Sequence, residues 1–172
     1  KAVVAGGSSV PILPANLILK TAKGEPRLMT YESLADGGFA TGTMLGSGGF
    51  VVMDDSTCIV RNTWTYARFY HHESCGQCSP CREGTGWMEK VLHRIEHGHG
   101  TMKDIDLLAD IARKIEGNTI CPLGDAASWP VASAIRHFRE EFEYHVKYPE
   151  KVMDPNHFEK EPFHSEKQHA IA

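Results

Sequence analysis

Cys75-Gly76-Gln77-Cys78-Ser79-Pro80-Cys81 sets three thiols at a three-residue spacing, and Cys121-Pro122 follows forty residues after Cys81. Three thiolates on one tight loop match three corners of a cubane cluster. A distant cysteine ahead of a proline matches the fourth, as in bacterial 4Fe–4S sites that open C-x2-C-x2-C. A four-cysteine zinc site is the weaker reading, because it usually comes as two separated C-x2-C pairs. Cys75-Gly76-Gln77-Cys78 alone has thioredoxin-like spacing, yet a helix-like segment precedes it where a strand is needed, and a further thiol follows. Plain burial of the cysteines fits poorly with so polar a loop. Cys58, seventeen residues before Cys75, is expected to pack as a small hydrophobe.

On both sides of this loop the hydrophobic period is helical. Ser56 to His72 carries Val60, Trp64 and Ala67 on one face, with Asp54, Asp55 and Ser56 as candidate caps. Glu83 to His97 aligns Trp87, Met88, Val91, Leu92 and Ile95, and Gly98-His99-Gly100 stops it. Thr101-Met102-Lys103-Asp104 reads as a capping box, opening a helix with the stripe Ile105, Leu108, Ile111 and Ile115 that ends at Gly117. A fourth helix carries Val131, Ile135, Phe138 and Phe142, with Pro130 expected in its first turn and Asp125 and Ser128 as its caps. Four amphipathic helices with short connections predict a small bundle.

Before Asp55 the pattern differs. Val3-Val4, Ile12-Leu13, Leu17-Ile18-Leu19 and Phe50 to Met53 read as short strands between turn residues, with Tyr31 to Asp36 as one helical turn ended by Gly37-Gly38. Three regions are therefore expected: a small β domain over 1–54, a helical bundle over 55–147, and an extended C-terminal tail over 148–172. The tail holds Pro149, Pro155 and Pro162 and is expected to dock on a partner or stay mobile. The expected fold class is α+β.

Composition narrows the function. Over 172 residues, 18 Lys+Arg against 22 Asp+Glu give a net charge of −4, with 41% hydrophobic and 23% charged residues. That is a globular mix, and it argues against nucleic-acid binding through a basic surface. Ala2 to Leu19 is broken by Pro11 and Pro14, and Gly37 to Met53 carries six glycines, so neither forms the ~20-residue apolar helix that spans a bilayer. Direct membrane insertion is not expected. The run after Lys1 is too short for a signal peptide, and without an initiator Met the chain reads as a piece of a longer protein.

Weaker motifs favour ordinary roles. Gly46-Ser47-Gly48-Gly49 lacks the Gly-Lys-Ser/Thr ending of a phosphate loop and precedes a strand rather than a helix, so it reads as a turn. His93, His97 and His99 read as a solvated helix end, since no His-Glu-x-x-His motif occurs. His71-His72 stand beside the cysteine loop, where a histidine could tune a potential or carry a proton, although surface exposure is the favoured reading. Arg82 abuts Cys81 and could stabilise an anionic centre from outside its ligand shell. No Ser/His/Asp triad or paired-carboxylate site stands out, so no catalytic residue is expected.

Glu73 to Gly84, Gly117 to Ala127 and Ile135-Arg136-His137-Phe138-Arg139 together resemble the NADH-oxidising flavoprotein subunit of respiratory complex I, called F in bacteria and 51 kDa in mitochondria. Gly6 to Pro11 and Val52 to Asp55 resemble its soluble-ligand-binding β-grasp domain, so the resemblance covers residues 1–147. It implies a β-grasp domain followed by a four-helix bundle with one 4Fe–4S cluster ligated by Cys75, Cys78, Cys81 and Cys121. It also implies FMN and NAD(H) bound outside this chain, since that family's flavin domain is missing here. The cluster would take electrons from NADH-reduced FMN and pass them along a cluster chain towards quinone. Implied partners are the 24 kDa-type 2Fe–2S subunit and the large iron–sulfur subunit, peripheral on the cytoplasmic or mitochondrial-matrix side of the inner membrane. The alternatives are the diaphorase subunit of an NAD-reducing hydrogenase or a formate dehydrogenase and, from another class, a zinc-stabilised non-enzymatic scaffold.

Overall fold

A computed structural model describes residues 1–21, 23–36, 42–154, 157–160 and 163. Three antiparallel strands, β1 (Ala2–Ala5), β2 (Leu13–Pro14) and β3 (Phe50–Met53), form a sheet in the order β2-β1-β3. Val3 stands opposite both Leu13 and Val52. Between β2 and β3 lies the short helix α1 (Tyr31–Asp36). Gly37-Gly38, expected to end it, fall outside the described residues. Leu17-Ile18-Leu19 does not form a strand: the chain turns at Pro14, whose carbonyl accepts from Leu17 N, and re-pairs only at the Lys20–Pro26 bridge. The loop 46–49 is a turn into β3, and its Gly49 carbonyl accepts from Gly6 and Gly7 N.

Four helices follow: α2 (Ile59–Glu73), α3 (Ser79–Glu96), α4 (Met102–Ile115) and α5 (Leu123–Lys147). Their connections are short, which forces successive helices to run antiparallel. α2 packs on α3 and α5, and α4 packs on the same two. The chain is thus a mixed structure of helices and one small sheet.

Several helix ends differ from their sequence expectation. α2 starts after Cys58, whose Sγ accepts from Arg61 N, while the Asp54 carboxylate is used one turn earlier by Ser56 and Thr57. The stop of α3 at Gly98 and the Thr101/Asp104 capping box are as expected. Trp87, expected on the apolar face of α3, is 54% exposed, because the buried stripe is narrower than the run of apolar letters. Pro130 lies inside α5 rather than in its first turn, since the helix already opens at Leu123. Asp125 and Ser128 are therefore not its caps. Asp125 accepts from Gly117 N across the α4–α5 connection, and Ser128 donates to the Asp125 carbonyl.

One hydrophobic cluster joins sheet and helices. Ala2, Val4, Val10, Ile12 and Met53 share it with Ile59, Met88, Leu92, Ile105, Leu108, Val131 and Phe142, so the expected boundary at 54/55 runs through continuous core. The Ile12 amide also donates to Ser133 Oγ of α5. The described part of the expected extended tail forms α6 (Pro149–Val152) and α7 (His157–Lys160). Val152 and Phe158 are buried, and Phe158 stacks on His145 at 5.6 Å, because these apolar residues find an open flank of α5.

A buried polar cluster ties the end of the helices opposite the cysteine loop. Lys1 Nζ reaches Glu141 at 2.9 Å, and Glu141 accepts from Ile59 N at the start of α2. Arg61 pairs with Glu96, Cys58 Sγ lies 3.3 Å from His145 Nε2, and His145 Nδ1 lies 3.5 Å from Glu96. Burial raises the Cys58 thiol well above its ordinary range and raises both carboxyls, with Lys1 and Arg61 opposing the shift. Two cations thus stand against two carboxylates. Burial also lowers His145 to about 3.

His145 therefore stays neutral in the native state while the unfolded chain takes up a proton below about pH 6.5. Its contribution to stability is present above that pH and falls as pH drops towards 3, by about 1.4 kcal/mol per pH unit at most. Glu96 and Glu141, shifted upward, work in the opposite direction. Chemical denaturation at pH 7 and pH 5 should show a smaller stability loss in His145→Gln than in wild type. Parallel losses in the two proteins would contradict this assignment.

Candidate iron–sulfur centre

Antiparallel packing places the α2–α3 and α4–α5 connections at the same end of the four helices. The first carries Cys75 and Cys78, and the second carries Cys121. Cys81 lies in the first turn of α3, with Cys78 as its N-cap residue and Pro80 tolerated at a position where an amide would lack a partner. Cys75 and Cys121 are exposed, Cys78 is half-buried and Cys81 is buried.

The thiols are electrostatic neighbours. Burial raises Cys81, the hydroxyl of Ser74 offsets this, and Cys78, Cys121 and Cys75 each raise it further. Among the described residues, the three-donor group whose ligand atoms lie within 4.8 Å of one another is Cys58, Glu141 and His145 rather than these thiols. One tetrahedral zinc, with Zn–S bonds near 2.3 Å, would draw its sulfurs to ~4 Å apart. A four-iron cubane carries its thiolates on separate corners and suits a wider set. The donors, all cysteine sulfur, are those that hold iron–sulfur clusters.

Close helix approach brings the thiols together. Gly84 and Gly86 face neighbours across α3: an added Cβ at Gly84 would lie 2.7 Å from Ile115 of α4, and one at Gly86 would lie 2.9 Å from His71 of α2. Small residues here let both cysteine-bearing connections draw in on the start of α3.

Polar side chains then pin the loops. Ser74 Oγ lies 3.2 Å from Cys81 Sγ, and Thr85 Oγ1 donates to the Cys81 carbonyl. Thr119 Oγ1 donates to the Cys121 carbonyl, while the Asp125–Gly117 bond closes the loop that carries Cys121. Arg82 turns back on the loop, donating to the Gly76 carbonyl and Ser79 Oγ while pairing with Glu83. His71 Nδ1 is 3.4 Å from Thr85 Oγ1, whereas His72 is exposed and pairs with Glu73. His93 and His97 stack at 4.0 Å, each edge-on to Trp64, as a ring cluster away from the thiols. Cys58 sits in the polar cluster at the opposite end, hydrogen-bonded as well as packed.

A small sheet fused to four helices, with four thiols drawn to one end, has the make-up of an iron–sulfur protein. Residues 61–145 match the family described as the NADH-ubiquinone oxidoreductase-F iron–sulfur binding region. The chain is 48% identical over 147 residues to the NADH-quinone oxidoreductase F subunit of Rickettsia bellii (strain OSU 85-389), covering 86% of this chain and 33% of that protein. The corresponding F 1 subunit of Rhizobium meliloti (strain 1021) is 46% identical over 145 residues, covering 84% and 31%. The chain thus spans about a third of the length of these relatives. Among solved structures, a chain of an NAD+-reducing NiFe-hydrogenase in the H2-reduced state superposes with a TM-score of 0.66 at 31% identity. That match covers 84% of this chain and 23% of the other. The cofactor of such a region is a 4Fe–4S cluster.

Gly84→Ala should cost about 1–3 kcal/mol, because its methyl overpacks the buried contact with Ile115. It should also lower the iron-to-protein ratio by moving α4 and the Cys121 loop away from Cys81. Wild-type iron content together with wild-type thermal unfolding would show that close approach is not needed.

Proposed function

We propose that Cys75, Cys78, Cys81 and Cys121 ligate one 4Fe–4S cluster and that the chain is the electron-accepting part of the flavoprotein subunit of an NADH:quinone oxidoreductase. The reading rests on one observation above others: Cys75 and Cys78 before α3, Cys81 in its first turn and Cys121 before α5 fall at the same end of the helices. A bound cluster supplies one-electron acceptance and release, matching a flavin that takes a hydride and gives up electrons singly. FMN and NAD(H) belong to the rest of a complete subunit. In finer terms, residues 1–54 are read as β-grasp-like, 55–147 as a four-helix bundle and 148–172 as a C-terminal extension.

The chain's own residues carry out three tasks. The cysteines would hold iron from two connections and the first turn of α3, tying together connections that flank four helices. With Cys81 in its first turn, α3 would offer the positive end of its dipole to a centre that is anionic with four thiolates. The apolar stripes of α3 and α4 behind Cys81 limit water on one side, while the exposed Cys75 and Cys121 leave another side open for transfer. We assign the next electron carriers to the 24 kDa-type 2Fe–2S subunit and the large iron–sulfur subunit. Placement is peripheral on the inner membrane, in keeping with the absence of a membrane-crossing helix among the described residues. The similarity to the hydrogenase chain favours one second reading, the diaphorase part of an NAD-reducing hydrogenase. Identification of co-purifying subunits separates the two.

Cys121→Ala should leave a three-iron species or apo-protein, since Cys58, the remaining cysteine, caps α2 at the far end. Iron and sulfide analysis with EPR of the reduced protein reads this, and full four-iron stoichiometry with an unchanged spectrum would remove Cys121 from the ligand set. The 172-residue chain alone should not turn over NADH with an artificial acceptor. The Gly-rich loop 46–49 opens a strand rather than a helix. Steady turnover would contradict the assignment of flavin and NADH binding to a part outside it.

A further inference from the structure

Arg82 has more to do than carry charge near a cluster. Its Nη1 donates to the Gly76 carbonyl at 2.9 Å, its Nη2 to Ser79 Oγ at 3.3 Å, and its Nε to Glu83 at 2.9 Å. Gly76, at φ +76°, holds the left-handed turn between Cys75 and Cys78, and its carbonyl is the acceptor. The Arg82 side-chain carbons lie directly beneath it, 3.7 Å from where a Cβ would stand. Arg82 itself follows Cys81 in α3, and its own amide donates to the Cys78 carbonyl. One planar side chain thus joins the two loop cysteines to the helix that carries the third.

From this geometry we infer that Arg82 is a positioning residue: its guanidinium fork fixes the Gly76 turn against α3 and so presets the spacing of Cys75 and Cys78 relative to Cys81. The inference rests on the ligand set proposed above. A lysine would keep the charge but offers a point donor on a flexible stem, and cannot bond the Gly76 carbonyl, Ser79 and Glu83 in the same plane. Positioning and charge are therefore separable. Groups that orient metal ligands from outside typically contribute 10–100-fold in metal affinity.

The test uses full-length protein with its cluster, purified without oxygen, as wild type, Arg82→Lys and Arg82→Gln. Iron release to an iron(II) chelator should be at least about tenfold faster in both variants. The midpoint potential should stay at the wild-type value in Arg82→Lys and fall in Arg82→Gln, where a cation beside the reduced centre is lost. Hydrogen exchange on the apo-proteins, which needs no cluster, should be faster at Gly76 to Cys78 in Arg82→Lys, with Met88 to Ile95 unchanged. This second measurement keeps a failure of the fork distinct from a failure of the ligand assignment. Wild-type iron release in Arg82→Lys, or unchanged apo-loop exchange, would overturn the inference. A shifted potential with unchanged release would likewise reduce Arg82 to a charge effect.

Discussion

Antiparallel packing of four helices is the constraint on which the rest of this structure depends. With short connections, the first and third turns must fall at one end, and those are the turns that carry Cys75, Cys78 and Cys121. Cys81 joins them because α3 begins inside the cysteine run itself. Metal-ligand chemistry is thereby delegated to loop residues while the apolar stripes fix where the loops go. A cluster at this end would couple two connections far apart in sequence, so cluster binding contributes directly to folding free energy.

The two ends of the helices solve different problems. At the cysteine end, small residues, loop-pinning hydroxyls and Arg82 hold the two cysteine-bearing connections in place. At the other end, Lys1, Arg61, Glu96 and Glu141 surround Cys58 and His145 with balanced charge, and Phe158 covers His145. Cysteine thus stands among other thiols at one end and within an ion-paired network at the other.

The cysteine end was legible in sequence because its information is local. Spacing of three residues, a Cys-Pro pair and the glycine stop at Gly117 each act within one or two turns. The polar end was not legible, because its partners stand 35 to 140 residues apart and each is unremarkable alone. Apolar letters misled at Trp87, where helix periodicity placed a large side chain on the edge of the buried stripe. At Leu17 to Leu19, strand-like composition lost to the turn at Pro14. The loop-pinning roles of Asp125 and Arg82 depend on which way a side chain folds back, and one-dimensional spacing carries no such signal. The continuity of core between sheet and helices was equally invisible, since strands and helices each looked self-sufficient on their own period.

The central claim is that one four-iron centre sits between Cys75, Cys78, Cys81 and Cys121. Anomalous diffraction from crystals of the protein with its cluster, recorded on both sides of the iron absorption edge, tests it most directly. The account predicts a single iron-specific peak of four-iron weight bounded by the α2–α3 loop, the first turn of α3 and the α4–α5 loop. A peak of single-atom weight, or one beside Cys58 and His145, would contradict it.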